Sequence, residues 1–189
     1  MNKNVVLKII DEYLKVFPEE EGRLAVLKEY LNKNEEESIC DWNNTNGHLT
    51  AGGFVYSKST QRFLVMWHKD LNMFLYPGGH MEKTDKNPLE RAKMEAKEET
   101  GLELSVLKIF DNELIPIDID AHQIGYNKRI NMPGHWHFDF RYIFVAKDET
   151  GVDIDKNEMQ SYKWINKAEL AQDPNYGYII KKLEKYIKV

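Results

Sequence analysis

This sequence predicts a layered α/β or α+β domain, and three observations point there. Residues 4–34 repeat apolar side chains at helical spacing. From His48 the chain breaks into short strand-like runs with turn residues between them, and a well-punctuated helix stands among those runs. At 189 residues the chain is long enough for one domain with a sizeable core and a modest extension.

The elements follow in order. Val5, Val6, Ile9, Ile10 and Leu14 give the first helix its apolar stripe. Pro18, followed by Glu19, Glu20 and Glu21, suits the first turn of a second. The turn-rich segment DWNNTNG, Asp41 to Gly47, sets a boundary near residue 46. It divides a helical extension, residues 1–46, packing on the core, from a main domain, residues 47–189. HLTAGGFVYS and QRFLVMW read as a hairpin turning around Lys58 and Ser59. FLYPGGH is a short strand broken by Pro77, Gly78 and Gly79. A helix then runs from Pro88 to Thr100, with Asn87 as its cap, Glu90 placed for a capping-box-like arrangement and Gly101 as a left-handed stop. Leu89, Ala92 and Ala96 form its core face. Strand signals recur at LSVLKIF, HWHFDFRYIFVA and MQSYKWI. A closing helix begins near Ala168 and, interrupted around Pro174 to Gly177, runs toward the C-terminus.

Composition narrows the function classes. No run approaches the roughly 18 apolar residues of a membrane span. Asp11, Glu12 and Lys15 interrupt the first apolar stretch, so it reads as an amphipathic helix and not as a signal peptide. The lone Cys40 excludes an intramolecular disulfide, and a reducing cytoplasmic setting is the simplest reading. No activating partner for that thiol is visible, so it reads as inert. With a formal net charge of −5, the protein gains nothing from bulk electrostatics on nucleic-acid backbone. Lys181, Lys182, Lys185 and Lys188 read as a solvated helix face. The expected partner is a small molecule, not a nucleic-acid polymer or a membrane. A phosphorylated ligand would need metal ions to bridge like charges.

The informative stretch is Gly78 to Leu102, GGHMEKTDKNPLERAKMEAKEETGL. Residues three and four apart share a helix face, so Glu95 looks across at both Glu98 and Glu99. The three carboxylates converge at the C-terminal end, where the macrodipole disfavours negative charge. Each repulsion costs only about some tenths of a kcal/mol, but all have the wrong sign for a structural helix. A hard divalent cation with oxygen ligands reverses that sign. A solvated face diluted by Arg91, Lys93 and Lys97 is the competing reading from the helix alone.

The flanking residues resemble the Nudix box, whose pattern is Gly, five residues, Glu, seven residues, then Arg-Glu-aliphatic-any-Glu-Glu-any-Gly-aliphatic. Gly79 and five residues lead to Asp85, and Met94-Glu95-Ala96-Lys97-Glu98-Glu99-Thr100-Gly101-Leu102 closes it. Three departures stand out: Asp85 replaces Glu, Met94 replaces an Arg that pins the loop in the family, and the intervening loop is one residue longer. The resemblance implies a Nudix-like α/β/α sandwich with a mixed sheet. It also implies hydrolysis of a diphosphate linkage in a nucleoside diphosphate joined to another moiety, with Mg²⁺ (or Mn²⁺) as cofactor. It further implies that the Gly79 carbonyl, Glu95 and Glu99 are metal ligands and that Glu98 is a further ligand or the base. A late acidic residue often assists, and Glu158, six residues before Trp164, is the first candidate, with Asp153 and Asp155 competing. The homo-oligomeric state is open, with a homodimer compatible.

The run HWHFDFRY alternates, placing His135, His137, Asp139 and Arg141 on one face. A half-buried strand wetted on one side gives the same pattern, but so rich a row also suits a substrate pocket. A group of Nudix-like sequences carries a similar strand with Gly-Gly-His before the box helix. With His48 and His80, the row forms the expected second polar or metal-binding cluster beside the box, of the kind that takes Zn, Mn or Fe. The competing expectation is that these histidines hydrogen-bond substrate phosphates or simply cap the sheet. Trp67, Phe74 and Tyr76 read as core packing more readily than as a base-stacking platform. Two other functions compete. An isopentenyl-diphosphate-isomerase-like metal enzyme would need a reactive Cys in the loop before the box helix, which this chain lacks. A non-catalytic nucleotide-binding Nudix domain would be expected to lose box glutamates, and here they are intact.

Overall fold

The computed structural model describes residues 1–126, 128 and 131–186. Lys188 and the last stretch of the predicted closing helix lie outside them. Two helices open the chain, α1 (Lys3–Val16) and, after a short 3₁₀ turn begun by Pro18, α2 (Glu21–Lys33). Asn2 caps α1 by accepting from the Asn4 and Val5 amides. Its stripe is buried at Val6, Ile9, Ile10 and Tyr13, whereas Val5 and Leu14 are half-buried. The strands are β1 (Gly47–Ser57), β2 (Arg62–His68), β3 (Met73–Leu75), β4 (Gly78–His80), β5 (Leu104–Val106), β6 (Asp118–Ile124), β7 (His135–Ala146) and β8 (Met159–Asn166). The helices α3 (Pro88–Thr100), α4 (Lys167–Ala171) and α5 (Gly177–Tyr186) complete the element order.

The strands form one mixed eight-stranded sheet with the path β3-β2-β1-β7-β5, while β4 pairs with β1, β6 with β7 and β8 with β2. The β1–β7 pairing is parallel, from Gly47 opposite Trp136 to Ser57 opposite Ala146, and the other pairings are antiparallel. Central parallel strands are covered on both faces, and β1 is buried throughout. One hydrophobic core gathers Ile10, Leu24 and Leu27 of the arm with Phe54, Phe140, Phe144 and the α5 residue Ile180.

The hairpin, the box helix with its Asn87 cap and Gly101 stop (φ 67°), and the break between α4 and α5 stand where the sequence placed them. One strand, β6, went unpredicted. Its sequence DIDAHQI alternates polar with apolar side chains, which is the period-2 signal, but it carries only two β-branched residues and no aromatic. The LSVLKIF run yields three strand residues.

Candidate active site and the polar face of the sheet

The box site is assembled where β4 meets α3. The Gly78 amide donates to Glu99 Oε2 at 3.1 Å, which anchors the turn to the last turn of the helix. A Cβ on Gly79 would lie 2.6 Å from the Glu95 carboxyl group, so any side chain there would displace that carboxylate. Glu99 is 8% exposed and Glu95 half-buried, while Glu98 is exposed on the same helix end. Burial pushes the Glu99 carboxyl up to about 8, against the Gly78 hydrogen bond, and the charges of Glu95, Glu158 and Asp155 push in the same direction as burial. Burial also raises Glu95, opposed by Arg91 and reinforced by Glu98 and Glu158. Glu158 therefore lies within the field of both Glu95 and Glu99. Asp155 reaches Glu99 electrostatically, but its own carboxylate accepts the Asn157 amide at 2.8 Å. Asp153 sits over the helix stop, its amide donating to the Thr100 carbonyl.

The loop before α3 is pinned by a residue the sequence had not singled out for the task. Arg91 lies 2.5 Å from Glu95 and 3.2 Å from Glu82, tying helix to loop, and Asp85 closes the loop by accepting the Glu82 amide at 2.6 Å. Met94, where the family has its pinning Arg, points outward and is 47% exposed. An arginine at 94 would thus add a solvated charge. We expect Met94→Arg to change stability by less than about 1 kcal/mol. Arg91→Met should cost about 1–3 kcal/mol, because it strips a half-buried carboxylate of its partner. Urea unfolding of the two variants checks the contrast.

The row from β7 faces the interior. Gly79 faces Glu95 and is the register partner of Ala51, so odd positions of β1 look toward α3 and even positions away from it. His48 and Thr50 are partners of His137 and Asp139, which puts the polar row on the face opposite the box helix. The histidines and the box share β4 and β1, with His80 directly after Gly79, but project from opposite sides of the pleat. A wetted strand exterior is corrected, since His48, His135, Asp139 and Arg141 are all buried.

The row then splits into two groups. His48 Nε2 lies 2.9 Å from His137 Nε2, and His135 Nε2 lies 3.2 Å from the same atom. The His80 ring stands 4.6 Å from His48, centroid to centroid. Burial disfavours the charged form of three of these rings, pushing His48 down to about 3 and His137 to about 2, and lowering His80. At the other end Arg141, 4% exposed, donates through Nε to Asp139 (3.0 Å) and Tyr76 (2.7 Å). Through Nη1 it donates to Asp118 (3.1 Å) and Tyr178 (2.5 Å), and through Nη2 to Asp120 (2.8 Å). Asp118, fully buried, also accepts from Lys182 at 2.6 Å and Arg23 at 3.2 Å. Burial opposes ionisation of Asp118 and Asp120, yet their cationic and hydrogen-bonding partners hold both below the usual carboxylate range. Lys182, expected on a solvated face, instead points inward to Asp118 and Glu20, while Lys181 and Lys185 remain exposed.

Trp67 and Phe74 meet edge to face at 4.9 Å, and Tyr76 packs on Phe54, as core packing predicts. Burial pushes the Cys40 thiol up to about 11, so it is not a thiolate at neutral pH.

Comparison with known proteins supplies the family. A model of the NUDIX domain matches residues 47–183. A curated relative from Lactococcus lactis subsp. cremoris (strain MG1363), named a probable DHNTP pyrophosphohydrolase, is 28% identical over 101 residues, 53% of this chain and 55% of its own length. That match spans little more than half of the relative. Among solved structures, a NUDIX-family hydrolase from Clostridium perfringens superposes with a TM-score of 0.56 at 24% identity, covering 73% of this chain and 97% of that one. The E. coli dihydroneopterin triphosphate pyrophosphohydrolase gives 0.55 at 16% identity, covering 75% and 96%. At such identities the superpositions speak for the fold. Because the family model spans more than half of the chain and takes in every box residue, this protein belongs to the Nudix family.

Proposed function

We propose that this chain is a divalent-cation-dependent pyrophosphohydrolase acting on a nucleoside diphosphate joined to another moiety, with residues 47–189 as the catalytic domain and residues 1–46 as an extension docked on it. The observation that carries the reading is the buried Glu99 and half-buried Glu95 carboxylates against the Gly78–Gly79 turn. The relative's printed name, a probable pyrophosphohydrolase, supports the reaction class.

The residues present fit Mg²⁺ or Mn²⁺. The donors are hard oxygens, and the proton affinity of the Glu99 carboxyl is raised because it is buried among other acids with too little positive charge nearby. Glu95, Glu99 and the Gly79 carbonyl would hold the ion, with Glu98 as a further ligand. Once bound, the ion supplies positive charge for the phosphate oxygens and makes the attacking water easier to deprotonate. Arg91 orients Glu95 and fixes the loop. Glu158 accepts the water's proton as the general base. Arg141 joins Asp139 to Asp118 and Asp120, the two β6 carboxylates that Arg23 of the arm also reaches. The lone buried Cys40 fits a reducing, cytoplasmic setting. Among the described residues no helix is long and apolar enough to cross a membrane.

A coupled phosphate-release screen of nucleotide sugars, dinucleotides and nucleoside triphosphates with Mg²⁺ and Mn²⁺ tests the assignment. Turnover of at least one class is expected, lost in Glu95→Gln and reduced in Glu158→Gln. Absence of turnover in every class would overturn it.

A further inference from the structure

The histidine group on the far face of the sheet holds two N···N contacts that cannot each have a hydrogen of its own. One nitrogen from each of His48, His135 and His137 lies within 4.8 Å of the others. His135 Nδ1 is 2.8 Å from the Pro133 carbonyl. A carbonyl only accepts, so Nδ1 carries the hydrogen and the neutral ring presents a lone pair at Nε2. For the 3.2 Å contact to be a hydrogen bond, His137 Nε2 must then be the donor. That same atom is 2.9 Å from His48 Nε2, and once it carries a hydrogen it has no lone pair left to accept one. No arrangement of protons on neutral rings gives each contact a hydrogen of its own. His48 Nδ1, also buried, has no hydrogen-bond partner among the described residues.

A single cation accepting three lone pairs resolves the conflict. Around a tetrahedral Zn²⁺ with Zn–N of about 2.0–2.1 Å, ligand nitrogens stand roughly 3.3–3.4 Å apart. The spacings of 2.9 and 3.2 Å need only a small outward shift to match. The ligand set is rigid, because His48 and His137 are register partners on paired central strands and His135 lies two residues along the same face. Its hydrogen bond to Pro133 is the outer-shell contact that fixes the tautomer of a metal-bound imidazole. Neutral imidazole favours zinc-class ions over Mg²⁺.

We propose that His48, His135 and His137 bind one transition-metal dication of the zinc class, at a site separate from the box carboxylates. Three protein ligands leave a fourth position open. His80 stands beside the cluster, and a pocket of about 600 Å³ lined by Thr45, Asn46, Gln123, Gly134 and Trp136 borders it at His135. The site does not depend on the pyrophosphohydrolase reading, since it lies on the opposite side of the pleat from Glu95 and Glu99.

The test uses the full-length chain without a histidine tag, stripped of metal by chelation. Co²⁺ is titrated while its visible ligand-field bands are followed, and Zn²⁺ affinity is measured by competition with a chromophoric chelator. We expect stoichiometric binding in the native chain and in Glu99→Gln, and binding weakened on the order of 10²-fold or more in His137→Gln. Equal Zn²⁺ affinity in the native chain and His137→Gln overturns the proposal, as does binding that is lost in Glu99→Gln. Should His137→Gln fail to fold, X-ray absorption of the Zn²⁺-loaded native chain decides. Imidazole nitrogen scattering supports the site, and a shell of oxygen alone overturns it.

Discussion

Glu99→Gln should abolish turnover while making the metal-free protein more stable, and the combination separates a catalytic carboxylate from a structural one. The substitution keeps volume and can keep the acceptor for the Gly78 amide at 3.1 Å. It removes the charge that a divalent ion needs. Loss of an outer-shell partner alone typically costs 10–100-fold, so removal of a direct ligand should lower kcat by at least roughly 10²-fold. The stability effect has the opposite sign. Folded Glu99 holds its proton up to about pH 8, whereas the unfolded chain releases it near the ordinary glutamate value of about 4.3. Folding binds protons across that window, so the metal-free native protein loses stability as pH rises through it, and glutamine does not. The advantage of the variant should grow from about pH 4.5 and level off above about pH 8, at on the order of a few kcal/mol. Denaturant titrations in chelator at pH 5 and pH 8.5 check the sign. Full turnover by the variant, or a metal-free variant less stable at pH 8.5, would remove Glu99 from the site.

The largest purely structural effect is expected at Arg141. Arg141→Met conserves much of the side-chain length, but Asp139 loses its guanidinium partner, Asp118 loses one of three cations and Asp120 loses its short contact. Removing one partner from a buried ion network leaves uncompensated charge and costs about 3–5 kcal/mol. Lys182 and Arg23 keep Asp118 partly paired, so the lower end of that range is expected. Because Arg23 comes from α2 and Lys182 from α5, the loss should also loosen the arm. Amide exchange in α1 and α2 should then rise more than in α3. A stability change below about 1 kcal/mol would mean that the network contributes little.

The network also shows where sequence reading stops. Box chemistry was legible because all its side chains sit on one helix and the turn before it: i, i+3 and i, i+4 spacing alone brings Glu95, Glu98 and Glu99 to one face, and Gly79 follows from the same short segment. The alternation of β7 likewise put His135, His137, Asp139 and Arg141 on one side of a strand. Pairing between distant strands was not legible. Asp118 and Asp120 belong to a strand the sequence did not reveal, and their partners come from residues 23 and 182. Lys182 reads as surface because a lysine every few residues on an amphipathic helix usually is, and only the packing of α5 against Asp118 turns it inward.

The sequence by itself determined the layered α/β class, the carboxylate-bearing box helix with its caps, and the glycine turn that lets a helix carboxylate approach the backbone, because local periodicity and backbone conformation carry that information. Tertiary structure alone decided three things: that Arg91 and not residue 94 pins the loop, that the histidines converge with His48 on the face away from the box, and that Arg141 joins Asp139 to Asp118 and Asp120, the carboxylates that Arg23 of the N-terminal arm also reaches. The reason is that a strand's side-chain period fixes which residues share a face, while the parallel register of β1 on β7 and the docking of α2 and α5 fix what that face meets.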